Sequence, residues 1–240
     1  MTSAPKRRFG AFDDEARAWN VSPGTALALF TVPFTGLLLV VSDLVRGDLG
    51  TRLLAEDSVV ESATALVILA VAALAAIVAR RLWSNGLRVQ ATVYALLAAA
   101  AVVGAGEEIS WGGRLLGDEA LESVRDANQQ RELTIHNLDV VYEPYVAGML
   151  LVGLYGSVGS WFVYRVEFWR TANWYLFMPP VFLAGAFLQL VAYRILRYTG
   201  SRGHNYGEWC ELCVAAAIAV FIWLNLRRLR SRQSGAASTA

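Results

Sequence analysis

Glutamate and histidine residues recur at helical spacing in this chain, and their types suit metal binding or acid–base chemistry. Glu132 and His136 are four residues apart, and so are His204 and Glu208. On a helix, residues four apart lie on the same face. The chain has 2 histidines, and each belongs to one of these pairs. Scattered polar residues would not produce that pattern, so we predict a shared polar site.

Further carboxylates extend this set. Glu107 and Glu108 occur in the segment GEEISWGGR, and Glu211 follows Glu208 by one helical turn. Carboxylate and imidazole groups from several helices of a bundle are ligands for zinc, manganese or iron. The predicted metal ligands are Glu108, Glu132, His136, His204, Glu208 and Glu211. The predicted catalytic groups are Glu107, Glu108, Glu132, His136, His204 and Glu208, with Asn137 as a supporting donor.

A bound divalent metal would lower the pKa of a water ligand to about 7 and polarise a carbonyl or phosphoryl oxygen. A glutamate outside the metal shell would act as a general base. Simpler interpretations exist for the same residues. Glu107 and Glu108 also fit a solvated end of a membrane span, and His136 also fits a helix cap or a hydrogen bond to a backbone carbonyl.

Cys210 and Cys213 form a C-x-x-C pair beside Glu208 and Glu211. A helix N-terminus favours thiol redox chemistry by stabilising the thiolate. Membrane thiol oxidoreductases usually relay electrons through a second pair, and this chain has 2 cysteines in total. Buried cysteine in a membrane helix is more commonly a small packing residue.

Composition predicts the class of protein that positions these groups. The chain is 56% hydrophobic and 17% charged, whereas soluble domains are about 45–50% apolar and about 25% charged. The net charge of +1 argues against nucleic-acid binding. Nearly uncharged stretches of about 17–24 residues match the length needed to cross a bilayer. They predict an all-α, polytopic membrane bundle of about six transmembrane helices, over 24–45, 58–79, 89–105, 145–164, 173–195 and 208–226.

Arginine placement predicts the orientation, because cytoplasmic loops carry the excess of basic residues. Arg80, Arg81 and the arginines after residue 226 adjoin the ends of predicted spans. Both termini are therefore expected in the cytoplasm, in a bacterial inner membrane, with the Glu/His groups outside. Ser22 and Pro23 read as the cap and first turn of a retained first span. The predicted organisation is a cytoplasmic segment 1–23, a transmembrane domain 24–226 and a basic, disordered tail 227–240.

The outer loop 106–144 is long enough to indicate a function. Segments 118–128 and 130–143 are predicted to be short helices, the second placing Asp139 and Glu143 on the face of Glu132 and His136. The loop is expected to fold over the mouth of the bundle.

Two motifs in residues 104–140 are distinctive: GEEISWG at 106–112, and N-x-Q-x-E-x-x-x-H-N, formed by Asn128, Gln130, Glu132, His136 and Asn137. In these motifs the chain resembles an uncharacterised family of bacterial multi-pass membrane proteins. Gly113 stands where that family tends to have glutamine, so a role for that side chain is absent here. The resemblance implies that these residues act as one unit, and it implies no reaction.

The leading hypothesis is a metal-dependent membrane hydrolase or transferase that acts at the outer leaflet on a lipid or lipid-linked substrate. A non-enzymatic membrane assembly or binding protein, with a metal-free Glu/His cluster, is the second hypothesis. Thiol redox through Cys210 and Cys213 is the third. Arg194 and Arg197 fit either an anionic headgroup site or arginines that reach the membrane surface from a span end.

Overall fold

The structure is a computed structural model. It describes residues 10–36, 38, 59–109, 111, 135, 138–159, 161, 174–198 and 206–237. The regular elements of these residues are helices, which confirms the all-α prediction. The α-helices are α1 (Gly10–Ala18), α2 (Pro23–Thr31), α3 (Val59–Ser84), α4 (Arg88–Glu108), α5 (Asp139–Leu154), α6 (Ala184–Tyr198) and α7 (Tyr206–Ala237).

Among the described residues, three helices are long and apolar enough to cross a membrane. They are α3, α4 and the segment Tyr206–Ser231 of α7, with 26, 21 and 26 residues. At 1.5 Å per residue they extend about 30–40 Å, which covers a hydrocarbon core of about 30 Å. They correspond to the predicted spans 58–79, 89–105 and 208–226. The chain is thus a membrane protein of helical architecture.

The other three predicted spans are not continuous membrane-length α-helices in the described residues. Within 24–45, α2 is followed by a 3₁₀ turn, Val32–Thr35, that contains Pro33. Within 145–164, α5 passes into a π-helical turn, Tyr155–Gly159. Within 173–195, the 3₁₀ turns Trp174–Leu176 and Val181–Leu183 flank Pro179 and Pro180 and precede α6. The count of about six spans therefore stays a prediction.

The three long helices pack through small residues and expose large apolar ones. Small side chains let helix backbones approach closely when lipid surrounds the bundle. The buried small residues include Ala65, Ala72, Ala75, Ala91, Ala101, Ala105, Ala215 and Ala217. The exposed apolar residues on the same helices include Leu66, Leu69, Ile77, Leu96, Val102 and Trp223. Such an apolar exterior is expected of helices that face lipid.

The break before α6 is stabilised by side chains from other helices. Proline has no N–H to donate and interrupts helical hydrogen bonding. The Tyr94 hydroxyl donates to the Leu176 carbonyl at 2.6 Å, and the Tyr155 hydroxyl donates to the Phe177 carbonyl at 2.6 Å. The Asn225 Nδ2 donates in turn to the Tyr94 oxygen at 3.0 Å. Irregular backbone at membrane depth is tolerated when neighbours satisfy its polar groups in this way.

The end of α1 and the next residue, Trp19, contact Arg228 of α7, and α1 supports the same break. The backbone N–H of Val181 donates to Glu15 Oε2 at 2.9 Å. The Arg228 guanidinium carbon lies 3.5 Å from the centroid of the Trp19 ring. Burial raises the pKa of the Glu15 carboxyl from 4.5 to about 7, although the Val181 hydrogen bond and the charge of Arg228 both lower it.

Helices α2 and α6 approach so closely that position 185 requires glycine. A Cβ atom added to Gly185 would overlap the backbone carbonyl of Phe30. Backbone atoms cannot rotate away as a flexible side chain can, so a larger residue would force the two helices apart. A Cβ on Gly148 of α5, by contrast, would meet no atom within 4 Å.

One predicted helix start matches the structure, and two other predicted element ends differ from it. The predicted helix start at Ser22 is confirmed, since its Oγ accepts from the Thr25 N–H at 3.1 Å. The predicted helix 130–143 differs, because Leu138 is extended (φ −64°, ψ 136°) and α5 begins at Asp139. Asp139 and Glu143 therefore do not continue a helix through residue 135. Residues 227–240 were predicted to be a basic, disordered tail, whereas α7 continues to Ala237.

Candidate functional site: an acidic cluster at three helix ends

Three helix ends meet on one side of the bundle, and each carries glutamate. Helices α3 and α4 form an antiparallel hairpin through the turn at Asn85 and Gly86, so the start of α3 and the end of α4 lie on the same side. Glu61 near the start of α3 and Glu208 near the start of α7 are both close enough to interact electrostatically with Glu108. The start of α7 therefore lies on that side too.

Glu108, Glu208 and Glu211 form the centre of the site. One carboxylate oxygen from each lies within 4.8 Å of the others, and all three side chains are partly buried. Glu208 and Glu211 lie one turn apart on α7, as the sequence spacing predicted, and Glu108 is the last residue of α4. We call these three residues the glutamate triad.

Like charges at this separation require compensation. Two carboxylates 4.8 Å apart repel each other by about 3.5 kcal/mol at an effective dielectric constant of about 20. Protons or a cation relieve that repulsion. Oxygen ligands of a cation with bonds of about 2.1–2.4 Å lie about 3–4.8 Å from one another. The triad thus has the ligand type and separation that a divalent cation requires.

Arg194 and Tyr145 hold one member of the triad in place. Arg194 donates from a terminal guanidinium nitrogen to Glu211 Oε1 at 3.1 Å, and the Tyr145 hydroxyl donates to the same oxygen at 3.3 Å. Arg194 is 3% exposed and Glu211 is 17% exposed. The guanidinium also lies beside the rings of Tyr145 and Tyr193, at 5.7 and 5.4 Å from their centroids. Glu211 is therefore fixed by neutralising contacts.

Glu107 has a positioning role in the structure. Its Oε2 accepts from the backbone N–H of Ile135 at 2.6 Å, and its Oε1 accepts from the indole N–H of Trp111. The first of these bonds joins the end of α4 to a residue of the connection between α4 and α5. Glu107 was predicted to be catalytic, and that role stays a prediction; its two oxygens tether the chain beside the triad.

Four of the predicted site residues lie outside the described residues: Glu132, His136, Asn137 and His204. Their proposed roles stay predictions.

Cys210 and Cys213 lie one turn apart on the buried face of α7, and both are free thiols. The Cys210 thiol donates to the Gln189 carbonyl at 3.9 Å. Their surroundings are those of packing residues. The thiol redox hypothesis stays a prediction.

Sequence analysis did not identify Tyr145 or the partner of Arg194. Tyr145 was assigned only to the start of a predicted span. Arg194 was interpreted as a headgroup ligand or as a residue reaching the membrane surface. The structure buries it against Glu211, which argues against the second interpretation, and the first stays a prediction. One signal was present in the sequence: Arg194 is the one charged residue of the predicted span 173–195, and an arginine within a span has to find a counter-charge or reach the membrane surface.

The chain matches no protein-family model, no curated protein and no solved structure.

Proposed function

We propose that this membrane protein binds a divalent cation at the glutamate triad and uses it to hydrolyse, or to transfer a group from, a lipid or lipid-linked substrate. One observation carries the proposal: carboxylates from two different helices converge to within 4.8 Å at the end of the membrane-spanning segments. Manganese, iron and zinc are the candidate metals, because each accepts carboxylate with imidazole ligands.

The distribution of basic residues supports an extracytoplasmic position for the triad. Arg80, Arg81 and Arg88 adjoin the turn between α3 and α4, at the opposite ends of those helices from the triad. Arg227, Arg228 and Arg230 lie in the C-terminal part of α7, also far along that helix from Glu208. By the positive-inside rule these ends face the cytoplasm. The proposed location is the inner membrane of a bacterium, with both termini inside.

The proposed chemistry follows from the ligand set. A bound cation would polarise a phosphoryl or carbonyl oxygen and lower the pKa of a water ligand. Glu132, His136 and His204 are proposed as further ligands or as acid–base groups, with Asn137 as a supporting donor. His136 directly follows Ile135, the residue that Glu107 tethers to the end of α4.

Metal analysis of the purified, full-length protein tests this proposal. The protein is treated with a chelator, reloaded separately with Mn²⁺, Fe²⁺ or Zn²⁺, dialysed and analysed for metal content. We expect wild type to retain the metal and Glu208→Gln to lose it. Glu143→Gln changes an exposed glutamate on α5 and should behave as wild type.

Two results would contradict the proposal. One is a metal content in Glu208→Gln equal to that of wild type, and the other is wild type that retains no metal at all. His136→Ala tests the wider ligand set separately, with a weaker affinity for the metal as the expected result.

A further inference from the structure

Arg194 has donors that the glutamate triad does not use. A guanidinium group has five N–H donors arranged in a rigid fork. One terminal nitrogen donates to Glu211 at 3.1 Å. The buried Nε of Arg194 has no hydrogen-bond partner among the residues that the structure describes. The residue is 3% exposed, so bulk water does not substitute for a partner.

A buried donor without a partner is costly and calls for an explanation. This donor belongs to a guanidinium group that contacts Glu211 of the triad through a terminal nitrogen, so the group lies beside the proposed metal site. Tyr145 and Tyr193 flank the group and limit the orientations available to it. A guanidinium fixed in this way is preorganised for an oxyanion that fits its fork.

We infer that Arg194 binds a phosphate group of the substrate beside the metal at the glutamate triad. This inference rests on the proposed function and adds the chemical class of the substrate. A phosphate group has enough oxygens to contact a cation with one and the guanidinium fork with others. An ester or amide carbonyl offers one oxygen to both groups, so it matches the guanidinium fork less well than phosphate does.

The charge of the site predicts the order of binding. Three carboxylates and one guanidinium leave a surplus of two negative charges when all are ionised. Glu61 and Glu107 lie close enough to Glu108 to add to the negative potential, and a divalent cation balances the surplus of the triad and Arg194. Phosphate is therefore repelled by the metal-free site and is bound once the metal is present.

The test measures the ³¹P relaxation rate of inorganic phosphate in the presence of Mn²⁺-loaded, full-length protein in detergent. Bound Mn²⁺ accelerates relaxation of a phosphorus nucleus close to it, so the signal reports both binding and proximity. Mn²⁺ binding itself is measured in parallel by electron paramagnetic resonance. A second arm replaces inorganic phosphate with micelles that contain phosphatidic acid. Stronger enhancement there identifies a lipid headgroup, and stronger enhancement by inorganic phosphate identifies a soluble source.

We expect Arg194→Gln to retain Mn²⁺ and to bind phosphate about 10- to 100-fold more weakly, the effect of losing hydrogen bonds to a charged group. Arg194→Lys keeps the positive charge but lacks the guanidinium fork, so its affinity for phosphate should lie between those of wild type and Arg194→Gln. Arg88→Gln removes an exposed arginine at the opposite end of α4 and should match wild type.

Each contrary result has a separate meaning. If Mn²⁺-loaded wild type does not relax phosphate, or if Arg194→Gln relaxes it as wild type does, the inference is overturned and the metal site stands. If Arg194→Gln and Arg194→Lys both lose Mn²⁺, Arg194 is only a counter-ion of Glu211 and the inference is overturned. If wild type binds none of Mn²⁺, Fe²⁺ and Zn²⁺, the proposed function and the inference both fail.

Discussion

Replacing Glu108 with glutamine should have opposite effects on the metal-free and the metal-loaded protein. Glu108→Gln keeps the size of the side chain and removes one negative charge from the triad. In the metal-free protein that charge lies within 4.8 Å of two other carboxylates. Its loss should therefore stabilise the metal-free fold, while the same loss should weaken binding of the cation.

The expected magnitude has an electrostatic upper limit. Each pair in the triad repels by about 3.5 kcal/mol if both groups are ionised. A carboxyl of ordinary pKa can relieve the repulsion by taking up a proton, which at pH 7 costs about 4 kcal/mol. Repulsion that exceeds this cost is removed by protonation. We expect Glu108→Gln to stabilise the metal-free protein by about 1–3 kcal/mol. For a chain of this size, that raises Tm by about 2–12 °C.

Thermal unfolding in detergent, with and without Mn²⁺, measures both effects. Mn²⁺ at a hundred times its Kd should stabilise wild type by about 2.7 kcal/mol and should leave Glu108→Gln unchanged. Glu211→Gln is the informative comparison, because Glu211 accepts from Arg194 and Tyr145. Loss of that charge leaves a buried arginine without its counter-ion and should destabilise the metal-free protein.

The reasoning would be refuted if Glu108→Gln lowered the Tm of the metal-free protein. It would also be refuted if Mn²⁺ stabilised Glu108→Gln as much as wild type. Equal effects of Glu108→Gln and Glu211→Gln would show that the two carboxylates have the same surroundings, against the contacts described above.

Three further predictions concern the fold. Gly185→Ala should destabilise the protein by about 1–3 kcal/mol through overpacking, whereas Gly148→Ala, which meets open space, should be neutral or stabilising by up to about 1 kcal/mol; thermal unfolding compares them. Tyr94→Phe removes a hydroxyl with two hydrogen bonds and should cost about 1–2 kcal/mol in the same assay. Glu15 has a pKa raised from 4.5 to about 7, so its protonated form favours folding: this contribution is full below pH 4.5 and is lost as the pH rises through 7. Glu15→Gln should match wild type at low pH and exceed its stability at pH 8 by a difference on the order of 3 kcal/mol.

Contrary outcomes are specific in each case. Equal stability of the two glycine variants would show that α2 and α6 are not in backbone contact. A Tyr94→Phe variant as stable as wild type would mean that the Leu176 carbonyl has another hydrogen-bond partner. Parallel pH profiles for wild type and Glu15→Gln would mean that the Glu15 carboxyl is not desolvated in the folded protein.

The features that sequence analysis predicted are those set by local composition. Helices α3, α4 and α7 are uninterrupted apolar runs whose length alone predicts a span. Ser22 and Pro23 form a local start signal whose geometry needs no tertiary partner. The proximity of Glu108 to Glu208 and Glu211 followed from counting span ends, because alternating spans bring those ends to one side of the bundle.

The features that sequence analysis did not predict depend on distant partners. A Pro179-Pro180 pair within an apolar run is compatible with a kinked helix or with a broken one. The broken form is stable here because Tyr94 and Tyr155 satisfy the exposed carbonyls. The burial of Arg194 depends on how α6 is rotated against α7, and no local pattern encodes that rotation.

The position of the metal is the most direct test of the central proposal. Crystals of the full-length protein loaded with Mn²⁺ should be measured at the manganese absorption edge. We predict an anomalous peak within about 2.0–2.6 Å of carboxylate oxygens from Glu108, Glu208 and Glu211. The proposal would be contradicted by an anomalous peak elsewhere, or by crystals that contain the full amount of Mn²⁺ and show no peak at the triad.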